Sequence, residues 1–139
     1  MTPFTWQRAV IKIGSALIAP DSSDNSGCSD DYLQAIATFI ISSREQGKEL
    51  IVVSSGSVAA GRSLIKTGLK ASIAEKQAMA AIGQTKMMAN WARLFPFPCA
   101  QILLTLDDLH DRHRYVNVKN TLRELLLNNA LPIVNENDT

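Results

Sequence analysis

The stretch LIVVSSGSVAAGR, residues 50–62, decides the fold class of this chain. Its first four residues, Leu50–Val53, are all apolar, which suits a strand that is buried on both faces of a parallel sheet. A small polar turn, Ser54–Ser57, follows the strand, and a helical pattern then runs from Val58 to about Lys66. A buried strand that passes through a short turn into a helix is typical of α/β folds with parallel strands.

Apolar runs and helical patterns alternate on both sides of that stretch. The predicted strands are Arg8–Ile13, Leu50–Val53, Ala100–Leu104 and Leu131–Val134. The predicted helices are Asp31–Gln46, which Gly47 ends, Val58 to about Lys66, Ile73–Phe95 and Arg112–Asn129. Strands joined by helices require right-handed crossovers, so we expect a three-layer α/β/α sandwich with a mainly parallel sheet. A last strand with no helix after it is either an edge strand or a sign that the sequence is cut inside a longer domain.

Length and composition predict one domain and argue against several classes of function. The chain has 139 residues, of which 46% are apolar, and this is enough for a single core. A net charge of +1 and 6% aromatic residues argue against a nucleic-acid binder and a polybasic membrane-binding protein. No apolar run approaches the roughly 20 residues of a membrane span. Two isolated cysteines, Cys28 and Cys99, indicate reduced thiols. The N-terminal apolar segment is typical of a strand rather than of an export signal. We therefore expect a cytoplasmic protein.

The first candidate site residues follow the first predicted strand. Ligands of open parallel sheets bind outside the carboxyl ends of the strands, where this chain has Lys12, Gly14 and Ser15. Lys12 interrupts an apolar strand, so its ammonium group either reaches solvent or a carboxylate, or binds an anion. The missing Cβ of Gly14 lets backbone N–H groups approach such an anion. We therefore interpret these residues as a candidate phosphate-binding segment, with a structural role for Lys12 as the alternative.

The turn after the second strand is the next candidate. Ser55-Gly56-Ser57 leads into a helix that we expect to begin near Val58. The first N–H groups of a helix have no partner within the helix and can bind a carboxylate or a phosphate. The alternative is an ordinary serine N-cap with no ligand.

The fourth strand ends in Asn135-Glu136-Asn137-Asp138, which places two carboxylates and two carboxamides together. Residues of this kind are also common in plain turns. As a functional site, Asp138 would accept hydrogen bonds from a substrate ammonium group or from Lys12. A lysine, an anion-binding turn and an aspartate at one sheet edge suit phosphoryl transfer, which depends on positioning and charge neutralisation.

Other residues of chemical interest favour structural roles. His110 and His113 lie three residues apart at a predicted helix start, without an evident third ligand, so we expect surface residues and no metal site. The basic residues of the last helix are expected to form a solvated face, and the methionines of the long helix are expected to fill the core; these are Arg112, Arg114, Lys119 and Arg123, and Met79, Met87 and Met88.

Five segments, in this order, resemble the glutamate 5-kinases, a branch of the amino acid kinase family. They are VIKIGSALI, IVVSSGSVAAGR, EKQAMAAIGQ, QILLT and RYVNVKNTLRELLLNNALPIVNENDT. The resemblance covers nearly the whole chain, and its most specific parts are SSGSVAAGR and the NEND that follows a strand. It implies a parallel-rich α/β/α sandwich. It also implies phosphorylation of the glutamate side-chain carboxylate to glutamyl 5-phosphate, the first step of proline biosynthesis, with ATP and Mg²⁺.

The resemblance also implies roles for individual residues. Lys12 matches the family lysine that contacts the transferring phosphate, and Asp138 matches the aspartate that contacts substrate and organises the site. Ser55, with Gly56, matches the serine that binds glutamate. The implied catalytic residues are thus Lys12 and Asp138, the implied ATP contacts are Lys12, Gly14 and Ser15, and the implied glutamate contacts are Ser55, Gly56, Asn137 and Asp138. L-Glutamate and ATP are the implied substrates, and the protein is expected to be a homo-oligomer.

The chain departs from the family pattern in a few places. Ser57 stands where the family usually has Ala, and Ala16 where a Ser is common. The family continues beyond the part that resembles residues 1–139 with an ATP-binding half and often a PUA domain. We therefore expect the N-terminal, substrate-binding half of a kinase domain, inactive by itself. The alternatives are a related acyl or phosphate kinase, and a non-catalytic module that binds a small anion or takes part in oligomerisation.

Overall fold

Four parallel strands form one sheet in the computed structural model, which describes residues 5–14 and 30–137. The strands are β1 (Arg8–Ile13), β2 (Glu49–Ser54), β3 (Cys99–Leu104) and β4 (Leu131–Glu136). Their order in the sheet is β1-β2-β4-β3, and every neighbouring pair is parallel. The predicted parallel sheet is confirmed, and the carboxyl ends of all four described strands therefore lie at one edge, which we call the rim.

The last strand lies inside the sheet rather than at its edge. β4 pairs with β2 on one side and with β3 on the other, so β1 and β3 are the edges of the described sheet. Leu131 and Ile133 have no exposed surface, which explains why an almost entirely apolar strand occupies this position. The interpretation of this segment as an edge strand is wrong. Its position puts Asn135 and Glu136, at the end of β4, between the ends of β2 and β3.

The helices agree with the predicted pattern, with one addition. They are α1 (Asp30–Glu45), α2 (Ser57–Gly61), α3 (Ile73–Ala92), α4 (Leu106–His110) and α5 (Arg112–Leu127), and a 3₁₀ turn, Arg62–Leu64, extends α2. The helix predicted to reach Lys66 therefore ends its α-helical part at Gly61. α4 was not predicted, and it begins with a capping box in which Thr105 and Asp108 bind each other's backbone N–H groups. The backbone N–H and the hydroxyl of Thr105 both donate to the Asp108 carboxylate, and these two hydrogen bonds lower the pKa of that carboxyl group.

Helices cover both faces of the sheet, as a three-layer sandwich requires. On one face, α1 and α3 enclose the hydrophobic core, in which Ile40, Met87 and Trp91 pack with Val52 and Ile133. Successive strand residues point to opposite faces, so Ile51 lies on the other face, where it meets α5. That second layer is thin, because α5 has no buried residue and Val10 of β1 is 61% exposed.

The residues expected to be structural occupy the expected places. Met79 and Met87 are buried, Met88 packs against the core, and the basic residues of α5 are exposed. His110 ends α4, His113 belongs to α5, and both are exposed. Cys99 is a free thiol whose pKa is raised by burial, while Cys28 lies outside the described residues.

No helix within residues 5–14 and 30–137 is both long enough and apolar enough to cross a membrane.

α2 is held against α3 by two glycines that allow the backbones to touch. A Cβ at Gly83 of α3 would collide with the carbonyl oxygen of Ser57 in α2. A Cβ at Gly61 of α2 would collide with the carbonyl oxygen of Met79 in α3. Both collisions involve backbone atoms, which cannot move aside as a flexible side chain can. Glycine is therefore required at both positions. The close contact of the two backbones fixes α2 relative to α3.

We expect Gly83→Ala to lower the free energy of unfolding by about 1–3 kcal/mol, because the methyl group must separate α2 from α3. Urea denaturation of the chain measures this difference. Gly68→Ala is the matched control, since no described atom lies within 4 Å of the Cβ position at Gly68. Its effect is expected to stay within about 0.5 kcal/mol. Equal stabilities of the two variants would contradict the packing described for Gly83.

Candidate functional site

A pocket of about 490 Å³ opens at the rim of the sheet. This volume falls in the range of about 300–1,000 Å³ that is common for small-molecule sites. The lining comes from the ends of three strands and from α2: Lys12, Val53, Ser54, Ser55, Gly56, Ser57, Val58, Ala59, Arg62, Asn135 and Glu136. We call it the rim pocket. Three of the predicted site residues, Lys12, Ser55 and Gly56, thus line one pocket at the rim.

β1 brings Lys12 to the pocket. Lys12 is paired in register with Val53 of β2, and its side chain is exposed. It lies on the face of the sheet that α5 leaves uncovered at β1, so the ammonium group stays solvated when the pocket is empty. Gly14 follows β1, and no described atom lies within 4 Å of its Cβ position, which leaves space beside the backbone. Ser15 lies outside the described residues.

The turn between β2 and α2 has a shape that depends on Gly56. Gly56 is the N-cap residue and adopts a left-handed backbone conformation with φ 105°, which residues with a Cβ rarely adopt. α2 begins at Ser57 and its N-cap is Gly56, so the alternative of an ordinary serine N-cap is wrong. The Ser57 side chain is buried instead. A helix of five residues has little dipole of its own.

Ser55 is tied to the end of β1. Its backbone N–H and its Oγ both donate to the carbonyl oxygen of Ile13, at 3.1 and 3.4 Å. Ser55 is half-buried, and its hydroxyl oxygen keeps lone pairs that can accept a further hydrogen bond. The ends of β1 and β2 are thereby fixed relative to each other. Ser55, Gly14 and Lys12 are parts of one rigid corner of the rim.

The end of β4 contributes a buried amide. Asn135 is 5% exposed, and its Nδ2 donates to Oε1 of Gln84 in α3 at 2.9 Å. Glu136 and Asn137 are exposed, and the backbone N–H of Asn137 donates to the Leu104 carbonyl at 2.8 Å. Asp138 lies outside the described residues. Of the NEND segment, it is Asn135 and Glu136 that line the rim pocket in the described structure.

α3 also fixes the end of β2. Ser54 has no exposed surface, and its Oγ accepts a hydrogen bond from Nε1 of Trp91 and donates to Sδ of Met87, both at 3.3 Å. Trp91 and Met87 are themselves fully enclosed in the core. The residue immediately before the Ser55-Gly56 turn is thus held by two side chains of one helix.

The charges around the rim pocket favour an anionic ligand. Lys12 and Arg62 line it, and Glu136 is the one carboxylate among its described lining residues. This arrangement suits a carboxylate or a phosphate. Within the described ranges, no group of three acidic, histidine or cysteine side chains occurs that could hold a metal ion by itself.

Three residues of this site were not singled out from the sequence. Arg62 belongs to the SSGSVAAGR segment, but no spacing rule assigned it to the pocket. Asn135 was noted as part of NEND without a role of its own. Gln84 lies 51 residues from its partner Asn135, so only the fold reveals their contact.

Known proteins with similar sequences support the resemblance predicted from the motifs. The profile of the amino acid kinase family matches residues 7–139. The chain is 60% identical over 139 residues to the glutamate 5-kinase of Salinibacter ruber. It is 54% identical over 135 residues to the glutamate 5-kinase of Idiomarina loihiensis, and 51% identical over 138 residues to glutamate 5-kinase 1 of Pseudoalteromonas translucida.

These matches differ strongly in how much of each protein they cover. They include 96% of this chain for the first two relatives and 99% for the third. They include only 36%, 36% and 37% of the relatives themselves. The chain therefore spans about a third of the length of the curated relatives that it matches.

We expect Ser54→Ala to destabilise the chain by about 1–3 kcal/mol, because the buried N–H of Trp91 loses its acceptor. Urea denaturation followed by tryptophan fluorescence measures both the stability and the environment of Trp91. Ser42→Ala, at an exposed position of α1, is the matched control and should stay within about 0.5 kcal/mol of the wild type. A Ser54→Ala variant as stable as this control would show that the hydrogen bond from Trp91 does not hold the end of β2.

Proposed function

Because the chain belongs to the amino acid kinase family, we propose that it forms the glutamate-binding part of a glutamate 5-kinase. That enzyme transfers a phosphoryl group from ATP to the side-chain carboxylate of L-glutamate. One observation carries the proposal: Lys12, the Ser55-Gly56 turn and Asn135 line a single pocket with a positive charge excess. The names of the most similar relatives support glutamate as the acid that is phosphorylated.

In this proposal the turn after β2 binds glutamate. Backbone N–H groups beside Gly56 are suited to hold a carboxylate, and the hydroxyl of Ser55 is suited to accept a hydrogen bond from the substrate. Removing one such bond to a charged group typically costs about 1.5–3 kcal/mol. Asn137 and Asp138 are proposed as further glutamate contacts, with Asp138 also organising the site.

Lys12 neutralises charge on the group that is transferred. A phosphoryl group in transfer carries negative charge on its oxygens, and the protein contributes mainly positioning and electrostatic stabilisation. The solvated ammonium of Lys12, at the end of a strand that Ser55 anchors, supports this role. Gly14 and Ser15 are proposed to approach the phosphates of ATP with their backbone.

ATP and Mg²⁺ are the cofactors that this reaction requires. Bound together with ATP, Mg²⁺ would neutralise part of the negative charge of the phosphates. The described residues of the rim pocket hold no ligand set for Mg²⁺, so we assign no step of this part of the chain to the metal. Their contribution is to bind glutamate and to place a positive charge beside its carboxylate. A homo-oligomeric enzyme in the cytoplasm is part of the same proposal.

The test joins residues 1–139 to the remaining part of the Salinibacter ruber relative in one polypeptide and measures ATP-dependent glutamyl phosphate as its hydroxamate. We expect the joined protein to be active and Lys12→Ala to lower turnover by about a hundredfold or more, the usual effect of losing one electrostatic contact in the transition state.

Lys70→Ala removes an exposed lysine outside the rim pocket and serves as the matched control, with activity near that of the parent. If the Lys12→Ala variant kept full turnover, Lys12 would have a structural role and no role in phosphoryl transfer. An active joined protein that phosphorylates another acid in preference to L-glutamate would contradict the proposed substrate.

A further inference from the structure

Gln84 is a buried polar residue whose presence the packing of α3 does not explain. It is 9% exposed, and its Oε1 accepts a hydrogen bond from Asn135. Its Nε2 is buried as well and has no hydrogen-bond partner among the residues that the structure describes. A buried amide donor without a partner is unfavourable, and an apolar side chain of similar length would avoid this cost. The stability of the core therefore does not account for a glutamine at this position.

The hydrogen-bond partner of Gln84, Asn135, connects it to the rim pocket. Asn135 lines the rim pocket, and its amide has a donor end and an acceptor end of nearly the same shape. An asparagine at the end of a strand can present either end to a ligand. In the structure Oε1 of Gln84 accepts a hydrogen bond from Nδ2 of Asn135, so the NH₂ end of the Asn135 amide is turned toward Gln84.

We propose that Gln84 is a positioning residue of the glutamate site, which holds the amide of Asn135 in one orientation at the rim pocket. The proposal rests on the function proposed above. Gln84 acts through Asn135 and does not line the pocket itself. Because Gln84 turns its Oε1 toward Asn135, its Nε2 lies on the buried face of α3 without a described partner.

The test compares Gln84→Met, which keeps the length of the side chain but removes the acceptor, with Gln34→Met at an exposed position of α1. Three quantities are measured on the chain: the hydrogen exchange of the Asn135 side-chain NH₂ by NMR, the thermal midpoint, and the affinity for L-glutamate by calorimetry. The first needs no ligand and tests the contact alone.

We expect Gln84→Met to expose the Asn135 NH₂ group to exchange and to weaken L-glutamate binding about three- to tenfold, the effect of one hydrogen bond. The thermal midpoint should change little, because the variant also removes the unpartnered donor. Gln34→Met should match the wild type in all three measurements. In an Asn135→Ala background, Gln84→Met should cause no further loss of affinity, since its effect passes through Asn135.

Unchanged affinity in Gln84→Met, or a loss of affinity that persists fully in the Asn135→Ala background, would overturn the proposal. A loss of affinity that follows a large fall in the thermal midpoint would do the same, since it would assign Gln84 a structural role. A wild-type chain with a protected Asn135 NH₂ group but no affinity for L-glutamate would contradict the proposed function, and the role of Gln84 with it. Unprotected NH₂ in the wild type would contradict the contact alone.

Discussion

The rim pocket has its observed shape because α2 and α3 approach each other with no side chain between them. Gly61 and Gly83 leave room for the carbonyl oxygens of Met79 and Ser57, and no larger residue fits at either position. α2 has only five residues, too few for a stable helix by itself, so its position depends on its neighbours. Its contact with a 20-residue helix supplies the rigidity that the turn at Gly56 needs.

α3 supports the rest of the rim in the same way. Trp91 and Met87 hold Ser54 at the end of β2, and Gln84 holds Asn135 at the end of β4. One helix thus fixes three neighbouring parts of the pocket: the last residue of β2, the first turn of α2 and the Asn135 amide near the end of β4. A change in the position of α3 moves all three together. The residues that touch the ligand in the proposed function are few, but their geometry depends on core residues.

Much of the fold was predictable because its strands are short apolar runs between clear turn signals. β1 was predicted with its observed ends, and the other strands differ by one or two residues. α4 was missed because a five-residue helix has no periodicity of its own, and its only signal is the capping pair Thr105 and Asp108. The position of β4 was not predictable from local sequence, since the order of strands depends on contacts between distant segments.

For the site, the sequence identified the strand ends at Lys12 and Ser55, and the structure brings both to one pocket. The roles of Ser15 and Asp138 remain predictions, since both lie outside the described residues. The contact between Gln84 and Asn135 could not be predicted from the sequence, for a different reason. Gln84 and Asn135 are 51 residues apart, and a buried glutamine on a helix looks like any other polar residue until its partner is known.

The most direct test of the account is an NMR titration of the ¹⁵N-labelled chain with L-glutamate. The account predicts saturable shifts at the backbone amides of Gly56, Ser57 and Val58 and at the side-chain amide of Asn135. It predicts no comparable shifts in the groove between α5 and Ile51 on the opposite face of the sheet. Saturable shifts confined to that groove, or an unchanged spectrum at the rim pocket, would contradict it.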